Sequence, residues 1–99
     1  MKLGTPLTQE AAEELAIQAL NFIGGEPERL GRFLAVTGIG PAEIRAAARE
    51  PGFLAGVLEH LAGDERLLTA FAADTGIDPA AIGKALVTLS DGAWERESP

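Results

Sequence analysis

Apolar residues in this chain recur at helical spacing. Ala12, Leu15, Ala16, Ala19, Leu20 and Ile23 fall at i, i+3, i+4, i+7, i+8 and i+11, one continuous stripe on a helix. Thr8 precedes the stripe as a good N-cap, with Leu7 before it, and Gly24-Gly25 closes it. A second helix is predicted from Pro27, with Leu30, Phe33 and Leu34 inward and Gly38 as its stop. A third is predicted from Gly40-Pro41 to Glu50, burying Ile44, Ala47 and Ala48, because Pro51 disfavours helical geometry in the residue before it. Phe53, Leu54, Val57, Leu58 and Leu61 mark a fourth, ended by Gly63. Asp64 caps a fifth, with Leu67, Leu68, Phe71 and Ala72 inward and Gly76 as its stop. Asp78 and Pro79 open a sixth with Ile82, Ala85, Leu86 and Leu89 inward, predicted to end at Ser90-Asp91-Gly92. Val, Ile and Thr are sparse and no period-2 run stands out, so the pattern excludes a sheet.

The same pattern contains a duplication. Thr37-Gly38-Ile39-Gly40-Pro41-Ala42-Glu43-Ile44 returns 38 residues later as Thr75-Gly76-Ile77-Asp78-Pro79-Ala80-Ala81-Ile82. Residues 30–47 match 68–85 at ten of eighteen positions, and Gly25 matches Gly63, so the similarity extends well beyond the turn. Two copies are too few for an open solenoid and are expected to close on each other around a shared core. The predicted fold is therefore an all-α compact bundle of five or six short helices, built from two helix-turn-helix pseudo-repeats. Phe33, Phe71, Ile39, Ile77, Leu58 and Leu61 are its expected core. Residues 1–8 are read as an N-terminal segment, 9–90 as a single helical domain and 91–99 as a flexible C-terminal tail.

Charge changes this picture in one place. The 99-residue chain carries a formal −7, which disfavours phosphate backbones and anionic lipid. Between Arg29 and Arg49, however, four arginines (Arg29, Arg32, Arg45, Arg49) meet one acid, Glu43. That window is the one place where an anion is expected. The intervening Gly38-Ile39-Gly40-Pro41 turn resembles the Gly-hydrophobic-Gly hairpin of helix-hairpin-helix DNA-binding proteins, in which turn amides and a helix N-terminus meet phosphate. Gly38, Gly40 and the four arginines are thus candidate anion or nucleic-acid contacts. The second copy puts Asp78 where that hairpin has its second glycine. A helix stop, an apolar plug and a helix start account for both copies.

Other chemistry is sparse. There is no cysteine, and the only histidine, His60, has Glu59 about 100° round the helix from it. No catalytic residue, metal ligand or cofactor loop is predicted, and the chain is read as a non-enzyme without cofactors. Glu10, Glu13 and Glu14 are read as a solvated first turn that favours the positive helix end. Thr37 and Thr75 are read as capping residues. Met1-Lys2-Leu3-Gly4-Thr5-Pro6 lacks the apolar run of a signal peptide, and no stretch reaches the roughly 20 apolar residues of a membrane span. A cytoplasmic protein is expected, with another protein or itself as partner, nucleic acid disfavoured and no membrane. Ile17 and Phe22 lie off the main stripe of the first helix and, with Trp94, are candidate interface residues.

The chain also resembles a bacterial family of short uncharacterised proteins, domain of unknown function 3572. The resemblance rests on Ala19-Leu20-Asn21-Phe22-Ile23, Pro27-Glu28-Arg29-Leu30-Gly31-Arg32-Phe33-Leu34, Thr37-Gly38-Ile39, Phe53-Leu54-Ala55-Gly56-Val57-Leu58 and Asp64-Glu65, over roughly residues 9–90. It implies a small bacterial protein and supplies no activity, so no site residue is carried over from it.

Overall fold

A computed structural model describes the backbone of residues 7–97 and the side chains of residues 7–90. Helix α1 spans Gln9–Gly24, and Thr8 caps it by accepting the Ala11 N–H on Oγ1 at 3.0 Å. Its buried face is Ala12, Leu15, Ala16, Ala19, Leu20 and Ile23, the stripe the sequence predicts. Helix α2 (Pro27–Thr37) opens on proline at its first position, as do α4 (Pro51–Ala62) and α6 (Pro79–Glu97). Asp64 caps α5 (Glu65–Thr75), its Oδ1 accepting the N–H groups of Arg66 and Leu67.

The predicted third helix is broken. Pro41–Glu43 form a 3-10 turn and α3 covers only Ile44–Ala47. Arg49 and Glu50 then donate to the carbonyls three residues back, tightening the chain. Pro51 holds Glu50 extended at φ −97°, ψ 122°, so the helix ends before the proline's influence reaches it directly. At the other end of the chain, α6 does not stop at Ser90-Asp91-Gly92 but continues through Glu97. A glycine weakens a helix by about 1 kcal/mol without necessarily ending it.

The duplication is visible in space. Displacement by 38 residues maps α1 onto α4, α2 onto α5, and the Pro41 turn with α3 onto α6. Both corners are built alike. Gly38 and Gly76 are left-handed at φ 75° and 77°, and each donates its N–H to the carbonyl four residues back at 2.8 Å. Thr37 Oγ1 donates to the Phe33 carbonyl at 2.9 Å and Thr75 Oγ1 to that of Phe71 at 2.7 Å. The same hydroxyl oxygens accept from Ile39 and Ile77 N–H. The two threonines are capping residues, as expected.

The corners differ in how they satisfy the next helix start. In the first, Glu43 reaches back and its Oε1 accepts the Gly40 N–H at 3.0 Å. In the second, Asp78 Oδ1 accepts the Ala80 N–H at 2.9 Å. A carboxylate does the same work from either end of the turn. Glu43→Ala is therefore expected to lower the melting temperature by about 2–6 °C. Adding Gly40→Asp, which installs the second copy's solution, should restore most of that loss in a thermal melt. Gly40 is extended at φ −85°, ψ 154°, so a side chain fits there.

The core lies where α1, α4 and α6 meet, these being the most extensively packed pairs, while α2 lies on α1 and α5 on α4. The two copies do share one core, but unequally. The first copy's last helix is cut to four residues, and the second copy's α6 packs on both long helices. Thr88 Oγ1 donates to the Leu7 carbonyl at 3.1 Å, tying α6 to the entry of α1. Phe33, Phe71, Leu58 and Leu61 are fully buried. Ile39 and Ile77, expected in the core, are only half-buried, because each follows a left-handed glycine that turns the chain outward at the bundle's rim.

Candidate functional site

The first corner does not offer a vacant anion cradle. The Gly40 N–H is held by Glu43 and the Gly38 N–H by the Leu34 carbonyl. A phosphate at Gly40 would have to displace a carboxylate already seated there. Nor do the four arginines of the basic window form one surface. Arg45 is exposed on α3. Arg49 lines a groove with Glu10, Glu13, Glu14, Ile17 and Leu54. Arg29 and Arg32 face a different hollow between α2 and α5.

That second hollow is the candidate site. It is a pocket of about 260 Å³ that brings Arg29 and Arg32 from α2 together with Arg66 from α5 and His60 from α4. Glu26, Glu28 and Asp64 also line it, so its charge is mixed. Its lining repeats the duplication. Glu26 and Asp64, Glu28 and Arg66, Arg29 and Leu67, and Arg32 and Ala70 are each 38 residues apart. The pocket therefore straddles the pseudo-twofold axis that relates the copies.

Aromatic contacts beneath the pocket obey the same relation. Phe22 meets Phe71 edge to face with centroids 5.3 Å apart, and His60 meets Phe33 in the same way at 5.2 Å. Phe22 and His60 are 38 residues apart, as are Phe33 and Phe71, so each copy lends a ring to the other. His60 is thus an edge-on packing partner that also lines the pocket. Phe53 adds a further edge contact to Phe33 at 5.9 Å.

Two details set the pocket's electrostatics. The Arg29 guanidinium lies over the Phe22 ring, 4.1 Å from its centroid, a cation–π contact that holds it half-buried. Arg32 approaches Asp64 Oδ2 at 3.8 Å, within ion-pair range but beyond a hydrogen bond. Among the described residues this is the one ion pair.

The interface candidates on α1 take other roles. Ile17 and Phe22 are half-buried and packed against the core rather than forming an exposed patch. Phe22 is covered from both sides, by Phe71 and by Arg29. The large apolar side chains left exposed among the described residues are Val36 at 68% and Val87 at 59%. Trp94 lies beyond residue 90, outside the described side chains.

The sequence did not single out Arg66, because it sits in the second copy, away from the basic window. The 38-residue offset places it opposite Glu28 and is the signal that finds it. Among the described residues no helix is long and apolar enough to cross a membrane, and no three His, Asp or Glu side chains converge as a metal ion requires.

Fold and cleft together define the class: an all-α bundle of two duplicated helical corners with a mixed-charge pocket on the axis between them. Residues 9–92 match the model of a family described as protein of unknown function (DUF3572), and the chain belongs to that family. No curated protein and no solved structure matches it.

Proposed function

We propose that this chain is a non-enzymatic interaction module, which meets another protein or a second copy of itself along α5. One observation supports this above the others. Three hollows meet at Ala70, and together they make a trough along the Arg66, Ala70 and Ala73 face of α5. These positions fall at i, i+4 and i+7, one helix face whose two alanines let a partner backbone approach closely. The facing wall is Arg29 stacked on Phe22, the combination of arginine and aromatic ring that is enriched at protein interfaces. Walls of mixed charge match a protein surface better than a polyphosphate backbone, whose affinity comes from uniform positive charge. We further read the protein as bacterial and cytoplasmic; the absence of cysteine from its sequence suits a reducing compartment.

The test pairs sedimentation of the full chain over a wide concentration range with capture of partners from native lysate. Each is repeated with the Arg66→Glu/Ala73→Glu double substitution. Both residues are exposed, so the variant should melt within a few degrees of the wild type. Association should fall at least about tenfold, as for loss of a central interface contact. Undiminished association would place the contact surface elsewhere, and a monomer that captures nothing would end the proposal.

A further inference from the structure

We propose that the pocket on the pseudo-twofold axis receives a single carboxylate, from an acidic side chain of the partner, between Arg29, Arg32 and Arg66. This rests on the interaction reading and names the group recognised there.

Three guanidinium groups from two helices line one small pocket. Arg29 has a ring face covering one side of its guanidinium, and among the described residues no carboxylate pairs with it. A guanidinium stacked on a ring keeps its in-plane N–H donors, the fork that matches a carboxylate. Arg32 is only loosely held. Its partner Asp64 is committed elsewhere, since Oδ1 takes the Arg66 and Leu67 N–H groups, and Oδ2 stands 3.8 Å from Arg32. An incoming carboxylate can therefore engage Arg32 without uncapping α5.

Size and charge select the ligand. At about 260 Å³ the pocket falls below the roughly 300–1,000 Å³ typical of sites for drug-sized ligands. It has room for one acidic side chain and some water. Glu26, Glu28 and Asp64 line the same space and repel a dianion more than a monoanion, so phosphate is disfavoured against carboxylate.

The experiment titrates the full-length chain with N-acetyl-glutamate α-amide, inorganic phosphate or sodium chloride at matched ionic strength. It follows backbone amide and arginine Nε–H signals by nuclear magnetic resonance. The carboxylate probe should give saturable shifts centred on Arg29, Arg32 and Arg66, and phosphate should bind more weakly. Asp64→Asn, which retains an N-cap side chain, should tighten carboxylate binding about two- to fivefold by releasing Arg32, and Arg66→Gln should weaken it by at least as much. Shifts that never saturate or only follow chloride would overturn the proposal. So would tighter binding of phosphate, or an affinity indifferent to both substitutions. If association in sedimentation or capture survives while the carboxylate shifts fail, only the assigned occupant is overturned. If the carboxylate saturates but association is absent, the pocket stands and the interaction reading falls.

Discussion

Phe71→Ala is expected to remove about 3–5 kcal/mol of stability. The ring is fully buried on α5, and its edge contact with Phe22 joins the second copy to the first. Truncation loses the transfer energy of the ring and leaves a cavity that helices anchored at both ends cannot close. It also withdraws the support beneath Phe22, and with it the surface on which Arg29 rests. A domain of this size has about 5–15 kcal/mol in total, so the variant should be marginal at 37 °C. Urea denaturation measures it: the midpoint should fall sharply at nearly constant slope. Phe33→Ala should cost a similar amount, because Phe33 holds the equivalent place and meets both His60 and Phe53. A loss below about 1 kcal/mol at either position would mean that the cross-copy rings do not hold the halves together.

Gly38→Ala and Gly76→Ala are each expected to cost about 1–2 kcal/mol, and by nearly the same amount. A Cβ at either position meets nothing within 4 Å, so the penalty is the left-handed backbone alone. With φ at 75° and 77° the two corners pose the same demand. The double variant should lose the sum, because the sites share no hydrogen-bond partner. Asparagine, which tolerates this conformation better, should recover part of each loss. Thermal melts of the two single variants that differ by more than about 8 °C would show that the duplicated corners have diverged in energy despite their shared geometry.

Much of the secondary structure was legible because its signals are local. A proline at the first helical position, an aspartate or threonine cap and a left-handed glycine each act within one turn, and the described structure places them where the sequence predicts. The α1 stripe is legible for the same reason, since six apolar side chains at 3.6-residue spacing can share only one face. Misreadings arose where a local signal met a longer-range one. Pro51 was taken to end a helix that had already tightened by Ala47, and Gly92 to end a helix that continues through Glu97. Phe22, judged from its place off the stripe, was read as exposed, whereas Phe71 and Arg29 from outside α1 enclose it. The arginines of the basic window are neighbours in sequence, but α2 and α3 carry them to different sides.

The sequence by itself determined an all-helical chain, the starts and stops of most helices, the duplication, and the residues apolar enough to be buried. These follow from backbone sterics, capping and periodicity, which need no knowledge of distant residues. Only the tertiary structure decided that α1, α4 and α6 form the core, that Ile39 and Ile77 stay at its rim, and that Arg29, Arg32, Arg66 and His60 meet in one pocket. Periodicity says which face of a helix avoids water, but it does not say which helix covers that face. That choice depends on how two unequal copies pack about a common axis, with α6 long because nothing follows it into the bundle, and α3 short because α4 must begin.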